Sequence, residues 1–91
     1  MVFEWDAAKN AANLVKHGID FDDAVRVFEG PVLEVVDDRR NYGEVRIIAV
    51  GAVDEREVTV VYTRRGTHRR MISARRAHSR ERKAYREVFS Q

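Results

Sequence analysis

From Pro31 onward the apolar residues stop recurring every three or four positions and begin to alternate, and this change of period constrains the fold more than any other feature of the chain. Four Val- and Ile-rich runs follow, "VLEVVD", "EVRIIAVGAV", "EVTVVYTRR" and "HRRMISAR", divided by "DRRNYG", "DER" and "RGT". Consecutive strands joined by such short turns form an antiparallel meander. Ahead of them, "VFEW" reads as an opening strand. Asp6 is then the N-cap of a helix over residues 7–17, in which Ala7, Ala11, Leu14 and Val15 keep helical spacing and Gly18 supplies the stop. Asp20 caps a second helix, "FDDAVRVFE", with Phe21, Ala24, Val25 and Phe28 at i, i+3, i+4 and i+7 before Gly30 and Pro31 end it. Helical spacing returns from Ser79, the expected cap, to Phe89, with Ala84, Tyr85, Val88 and Phe89 inward. The expected architecture is a single α+β domain over residues 1–91. Two amino-terminal helices pack on one face of a four- to five-stranded, mainly antiparallel sheet, and a carboxy-terminal helix follows the last strand. The other face stays open, because an antiparallel sheet can be solvated on one side.

A chain of 91 residues buries only about 60–65% of the surface its unfolded form exposes, so one modest core is available and no cofactor is expected. There is no cysteine, which removes disulfides and thiolate metal sites and suits a reducing cytosol. The opening "MVFEWDAAKN" lacks the basic and apolar regions of a secretion signal, and the longest apolar run, "IIAVGAV", is too short to span a bilayer. A cytoplasmic protein without membrane contact is therefore expected. Charge is unevenly spread: residues 1–40 carry nine Asp and Glu against five Lys and Arg, net −4, whereas residues 41–91 carry six against twelve, net +6. A cationic second half points to a polyanionic partner, with nucleic acid the usual one.

That charge is concentrated in "TRRGTHRRMISARR", residues 63–76, which hold six arginines, one histidine and no acid. If "RGT" folds the last two strands back on each other, Arg65 and Arg70 lie close together, and alternation sends Arg64 and Arg69 to the opposite face. A slip of one residue exchanges the two sets, so the sequence leaves open which set meets a ligand. Arg65, Arg70 and Arg75 share a face only if a bulge or twist intervenes between Arg70 and Arg75. Arginine, rather than lysine, fills every such position from 64 to 82, and its planar fork binds phosphate oxygens bidentately and stacks on bases. For any single arginine the alternative is a solvated or acid-paired side chain.

RNA carries its own nucleophile, the 2′-OH. A protein that cleaves it needs a proton acceptor, cations for the phosphorane charge and an acid for the 5′-oxygen. His17, His68, Lys16, Glu44, Tyr62 and Tyr85 are the available proton-transfer groups, and the sequence alone does not rank them. His17, just before Gly18, reads equally as a cation at a helix C-terminus. The histidines lack ligand-like spacing, so no metal is expected, and there is neither a Gly-rich phosphate loop nor a nucleophile elbow. Trp5, Phe21, Phe28 and Tyr62 read as core rather than as base-stacking platforms. Ser73 reads as a local hydrogen-bonding residue, and Tyr85 is divided between packing and chemistry.

The succession "FEWDAAKNAANLVKHGIDFDDAVRVF", "YGEVRIIAVG", "VVYTRRG" and "RMISARRAHSRERKAYRE" resembles the BrnT family of toxins from bacterial type II toxin–antitoxin systems, from Phe3 to about Glu87. The pieces that carry the resemblance are Trp5-Asp6, then Asn13, Lys16, His17 and Gly18, then Ser73 to Arg75, then Glu81, Arg82 and Tyr85. It implies a RelE-like fold and a metal-independent ribonuclease that arrests growth, held inactive by a BrnA antitoxin, with operator DNA bound only through the antitoxin complex. On the matching positions it implies that Arg65 and Arg75 stabilise the phosphate, that Arg70 positions the RNA and that His17 or Tyr85 transfers protons. Lys16, Ser73, Arg64 and Arg69 are expected RNA contacts. His78 departs from the small or polar residue expected there, and either reaches the site or caps the last helix. The acidic amino-terminal half offers a partner a complementary surface. The alternative is a domain that binds nucleic acid or antitoxin without chemistry.

Overall fold

The computed structural model describes residues 1–89 and changes from helix to strand where the period changes. Strand β1 (Val2–Glu4) leads into helix α1 (Ala7–His17) and a short helix α2 (Phe21–Ala24), which tightens into a 3-10 turn over Val25–Glu29. Strands β2 (Leu33–Asp37), β3 (Arg46–Val53), β4 (Arg56–Arg65) and β5 (His68–Arg76) follow, then helix α3 (Ser79–Phe89). The five strands lie in the order β1-β5-β4-β3-β2; β2 to β5 form the antiparallel meander, and β1 pairs with β5 in parallel.

Helix α1 begins and ends as its sequence predicts. The Asp6 carboxylate accepts from the Ala8 and Lys9 amides, and Gly18 adopts the left-handed conformation with φ of 75°. Its inward stripe, however, is not the apolar one. The helix turns Asn10, Asn13 and His17 toward the protein and leaves Leu14 and Val15 44% and 89% exposed. Backbone chemistry explains this. Strand β1 pairs with β5 only over residues 68–70, so the β5 edge beyond it needs other partners. The Asn13 amide supplies them: it donates to the Ala74 carbonyl at 2.9 Å and accepts from the Ala74 N–H at 3.1 Å, standing in for a missing strand. It also donates to the Ile19 carbonyl. Asn10 accepts from the Phe21 N–H, which fixes the turn between the helices.

The second helix is α-helical for one turn only, where nine residues were expected. Phe21, Ala24 and Val27 are all 0–1% exposed, a spacing of three that a 3-10 turn aligns on one side and an α-helix does not. The tighter turn also lets Val27 sit on β3, where a side chain at Gly51 would lie 2.7 Å from the Val27 Cβ. Trp5 packs edge-on against Phe21, Phe3 stacks on Phe28, and Phe28 meets Tyr62 edge-on. The aromatics read as core from the sequence are core.

This main core fills one sheet face. The opposite face is open only in part, since α3 lies across one end of it, burying Val50, Ala77 and Tyr85 with Leu33 and Phe89 packed around them. Ala84 and Val88, expected inward, are exposed. The first turn of α3 explains the difference in its rotation. The cap is His78 rather than Ser79: its carbonyl takes the first helical bond from Arg82, and its N–H donates to the Glu81 carboxylate at 2.7 Å. Glu81 is thereby pinned to the sheet side, which selects Tyr85 and Phe89 as the residues below it. Among the described residues, no helix is long and apolar enough to cross a membrane.

Candidate nucleic-acid interface

The ladder between β4 and β5 pairs Val61 with Ser73 but Tyr62 with Met71, so Ile72 has no partner and forms a β-bulge. This extra residue restores the phase that simple alternation would have lost. Arg65, Arg70 and Arg75, together with His68, all fall on the face that carries α3. Arg64, Arg69 and Arg76 fall on the other.

Across the end of the open face nearest the β4–β5 turn, the register lines up one side chain from each strand: Glu4, Arg70, Thr63, Arg46 and Asp37. Arg65 and His68, paired opposite each other, stand beside this row. Behind it lies a half-buried strip of Ser73, Val61 and Ile48 that ends at the exposed Val35. The last row, Arg75, Thr59, Val50 and Leu33, runs beneath α3.

Arg65 and Arg75, both expected to stabilise the phosphate, are not neighbours on this face. Arg75 lies opposite Thr59, six residues along β4 from Arg65, which is about 20 Å at the rise of a strand. They share a face but stand at opposite ends of it.

At the turn end, Arg70 donates to Glu4 at 3.1 Å, and His68 Nδ1 lies 3.6 Å from the other oxygen of the same carboxylate. Glu44 is 3.7 Å from Arg46 and 3.9 Å from Arg65. Three guanidinium groups thus share two carboxylates, leaving a surplus positive charge that grows when His68 is protonated. Arg46 stacks 4.0 Å above the Tyr42 ring, and its Nε is buried with no hydrogen-bond partner among the described residues. Asp37 does not offset the surplus. Its carboxylate is gripped by both arms of Arg39 and by the Tyr42 hydroxyl, and the Arg39 hydrogen bonds hold it well below the usual carboxylate range.

At the helix end, Arg75 makes two hydrogen bonds to Glu81, at 2.7 and 3.0 Å, and Glu81 also accepts from the Thr59 hydroxyl and the His78 N–H. Burial pushes the Glu81 carboxyl up, but Arg75 and the other donors outweigh it and bring it from 4.5 to about 2. The Tyr85 hydroxyl donates to the Pro31 carbonyl at 3.1 Å, and burial pushes its titration upward. This hydrogen bond ties α3 to the segment that precedes β2.

The remaining expected site residues lie elsewhere. His17 borders a cavity of about 490 Å³ with Arg26, Asp54, Arg56 and Arg76, on the side away from Arg65 and Arg70. Lys16 is exposed beside it on α1. Arg64 is exposed, and Arg69 lies 4.5 Å above the Phe28 ring and 5.1 Å from that of Tyr62, its stem part of the core. Ser73 is on the open face, in the half-buried strip. Sequence reasoning passed over Glu4 and Arg46 and did not single out His68. Glu4 reaches the row only through the parallel pairing of β1 with β5, for which the sequence carries no local signal. Among the described residues, no three His, Asp or Glu side chains converge as metal ligands.

The fold and this row define a small α+β protein with one sheet face suited to a phosphate backbone. The family model of the ribonuclease toxin BrnT, of type II toxin–antitoxin systems, matches residues 5–81, and the chain belongs to that family. No curated protein matches it.

Proposed function

We propose that this chain is an endoribonuclease toxin of RelE-like fold that binds RNA across the open sheet face and cleaves it at the row nearest the β4–β5 turn. The observation that carries this reading is the charge imbalance of that row, three guanidinium groups on two carboxylates, at an end of the face that, among the described residues, no helix covers. An incoming phosphate supplies the missing negative charge. Arg65 and Arg70 hold its non-bridging oxygens and stabilise the phosphorane, while Arg46 extends the cationic surface toward the next nucleotide. Ile48 and Val61 give ribose or base an apolar floor, with the Ser73 hydroxyl at its edge. Arg75, paired with Glu81 beneath α3, braces that helix and does not hold the cleaved phosphate. Because the 2′-OH is the nucleophile, the reaction needs no metal ion. In the cell the activity inhibits translation and growth in the cytoplasm, and a BrnA-like antitoxin neutralises it and represses the shared operon with it. The acidic amino-terminal half suits such a partner.

The test is incubation of pure protein with RNA in the presence of a chelator. Cleavage to products ending in 2′,3′-cyclic phosphate is expected, lost in folded Arg65→Ala and Arg70→Ala variants. Intact RNA, bound with an affinity that falls steeply with salt, would replace this reading with a binding domain that lacks chemistry.

A further inference from the structure

We infer that His68 is the general base of the cleavage and that Glu4 is its positioning residue; the inference rests on the ribonuclease reading above. Neither histidine nor tyrosine expected to move protons stands near the surplus cations: His17 borders the cavity on the other side, and the Tyr85 hydroxyl is spent on Pro31. Tyr62 is wholly buried on the core face, hydrogen-bonded to Glu34. His68, in contrast, lies opposite Arg65 in the ladder, about 5 Å away between Cβ atoms, and two residues from Arg70 on the same face. Its side chain is 47% exposed, so a bound ribose can reach it.

Glu4 gives the imidazole its direction. The carboxylate accepts from Arg70 through one oxygen and lies 3.6 Å from His68 Nδ1 through the other, so Nε2 is the ring nitrogen left for a substrate. The charged groups that face His68 are Glu4 from β1, Arg65 from β4 and Arg70 from β5, with Glu44 reaching the cluster through Arg65. If the 3.6 Å gap closes to a hydrogen bond from Nδ1–H to the carboxylate when RNA binds, Nε2 is left as the proton acceptor.

The step balances with water as the only other reactant. The neutral Nε2 takes the 2′-OH proton as the 2′-oxygen bonds to phosphorus, and the bond from phosphorus to the 5′-oxygen breaks. Arg65 and Arg70 hold the non-bridging oxygens meanwhile. Water protonates the departing 5′-oxygen, and the imidazolium returns its proton to water. The products are a 2′,3′-cyclic phosphate and a 5′-hydroxyl, with no net proton change.

The experiment compares wild-type protein with His68→Gln, Glu4→Gln and Glu4→Asp in RNA affinity and in cleavage rate from pH 5 to 9. His68→Gln is expected to bind RNA as the wild type does and to cleave roughly 100- to 10,000-fold more slowly. Glu4→Gln is expected to lower the cleavage rate at saturating RNA while leaving RNA affinity and melting temperature close to those of the wild type, and Glu4→Asp to restore the rate. A purely structural role for Glu4 would lower the melting temperature in Glu4→Gln and lower RNA affinity and cleavage together. Wild-type cleavage with an equally active His68→Gln, or with a Glu4→Gln that cleaves as fast as the wild type, overturns this inference and leaves the ribonuclease reading standing. RNA left intact by the wild type overturns both.

Discussion

The two ends of the open sheet face are built from nearly the same parts and do different things. Each has an arginine from β5, a threonine from β4 opposite it and a carboxylate from a flanking element: Arg70, Thr63 and Glu4 at the turn end, Arg75, Thr59 and Glu81 at the helix end. At the helix end the match is one to one, and Glu81 is saturated by Arg75, Thr59 and the His78 amide beneath α3. At the turn end three guanidinium groups divide two carboxylates at 3.1 to 3.9 Å, and the threonine hydroxyl goes to the Val45 carbonyl instead. An arginine on a strand is thus a brace where its carboxylate is saturated and covered. It is a binding group where the carboxylates are outnumbered and open to water.

Both ends depend on the bulge. Unbroken alternation through Ile72 would turn Ser73 and Arg75 toward the main core and Ala74 away from it, burying a guanidinium where Ala74 now sits at 0% exposure, whereas deleting Ile72 keeps Ser73 opposite Val61 and leaves every face unchanged. Ala74→Arg, which puts a guanidinium in that core position, is expected to lose folded protein, seen as a missing cooperative transition by circular dichroism, whereas deletion of Ile72 retains it. A deletion variant that fails to fold would mean that Ile72 does more than set the phase. The next largest effect separates the ends by activity. Arg70→Ala is expected to lower cleavage roughly 100- to 1,000-fold with little change in melting temperature. Arg75→Ala should do the reverse, costing about 1–3 kcal/mol of stability by leaving Glu81 without its main partner. Equal losses of activity in both would place the cleaved phosphate between the ends and erase the distinction.

The elements of the fold were legible because they are local. Asp6, Gly18 and the alternation after Pro31 each act within a few residues, and each did what its chemistry predicts. The failures share a cause. Ala7, Ala11, Leu14 and Val15 have the spacing of a buried stripe, yet α1 buries Asn10 and Asn13 instead, because an unpaired strand edge needs hydrogen bonds more than it needs apolar cover. The α-helix expected over Phe21 to Glu29 gave way to a 3-10 turn, because the close approach of Val27 to Gly51 is set by a distant strand. The arginine stretch announced an anion-binding face, but its division into two ends needed the register, the bulge and the helix that crosses one end. None of these is written in residues 63–76. His68 was one of several proton-transfer groups until the parallel strand β1 brought Glu4 beside it.

Asn13 tests the same logic at the helix end, since it holds Ala74 two residues beyond the bulge. Asn13→Ala leaves a buried N–H and a buried carbonyl unpaired and is expected to cost about 2–4 kcal/mol. In a domain this small each kcal/mol is roughly 4–8 °C of melting temperature. Hydrogen exchange at Ala74 should quicken, while amides of the β4–β5 turn keep their protection.

The smallest effect is the dependence of that brace on pH. The Glu81 carboxyl titrates near 2 in the folded protein and near 4.5 when unpaired, so the unfolded chain binds its proton first as pH falls. The stabilisation is therefore complete above about pH 4.5 and is lost between there and pH 2. Glu81→Gln lacks it throughout. The variant is expected to be less stable than the wild type by about 1–2 kcal/mol at pH 7, allowing for solvent screening of a partly exposed group, and the two melting temperatures should converge as pH approaches 2. A gap between them that stays constant from pH 7 to pH 2 would mean that Glu81 holds α3 by shape and neutral hydrogen bonds alone. The helix end would then owe its rigidity to packing under Tyr85 and not to the Arg75 ion pair.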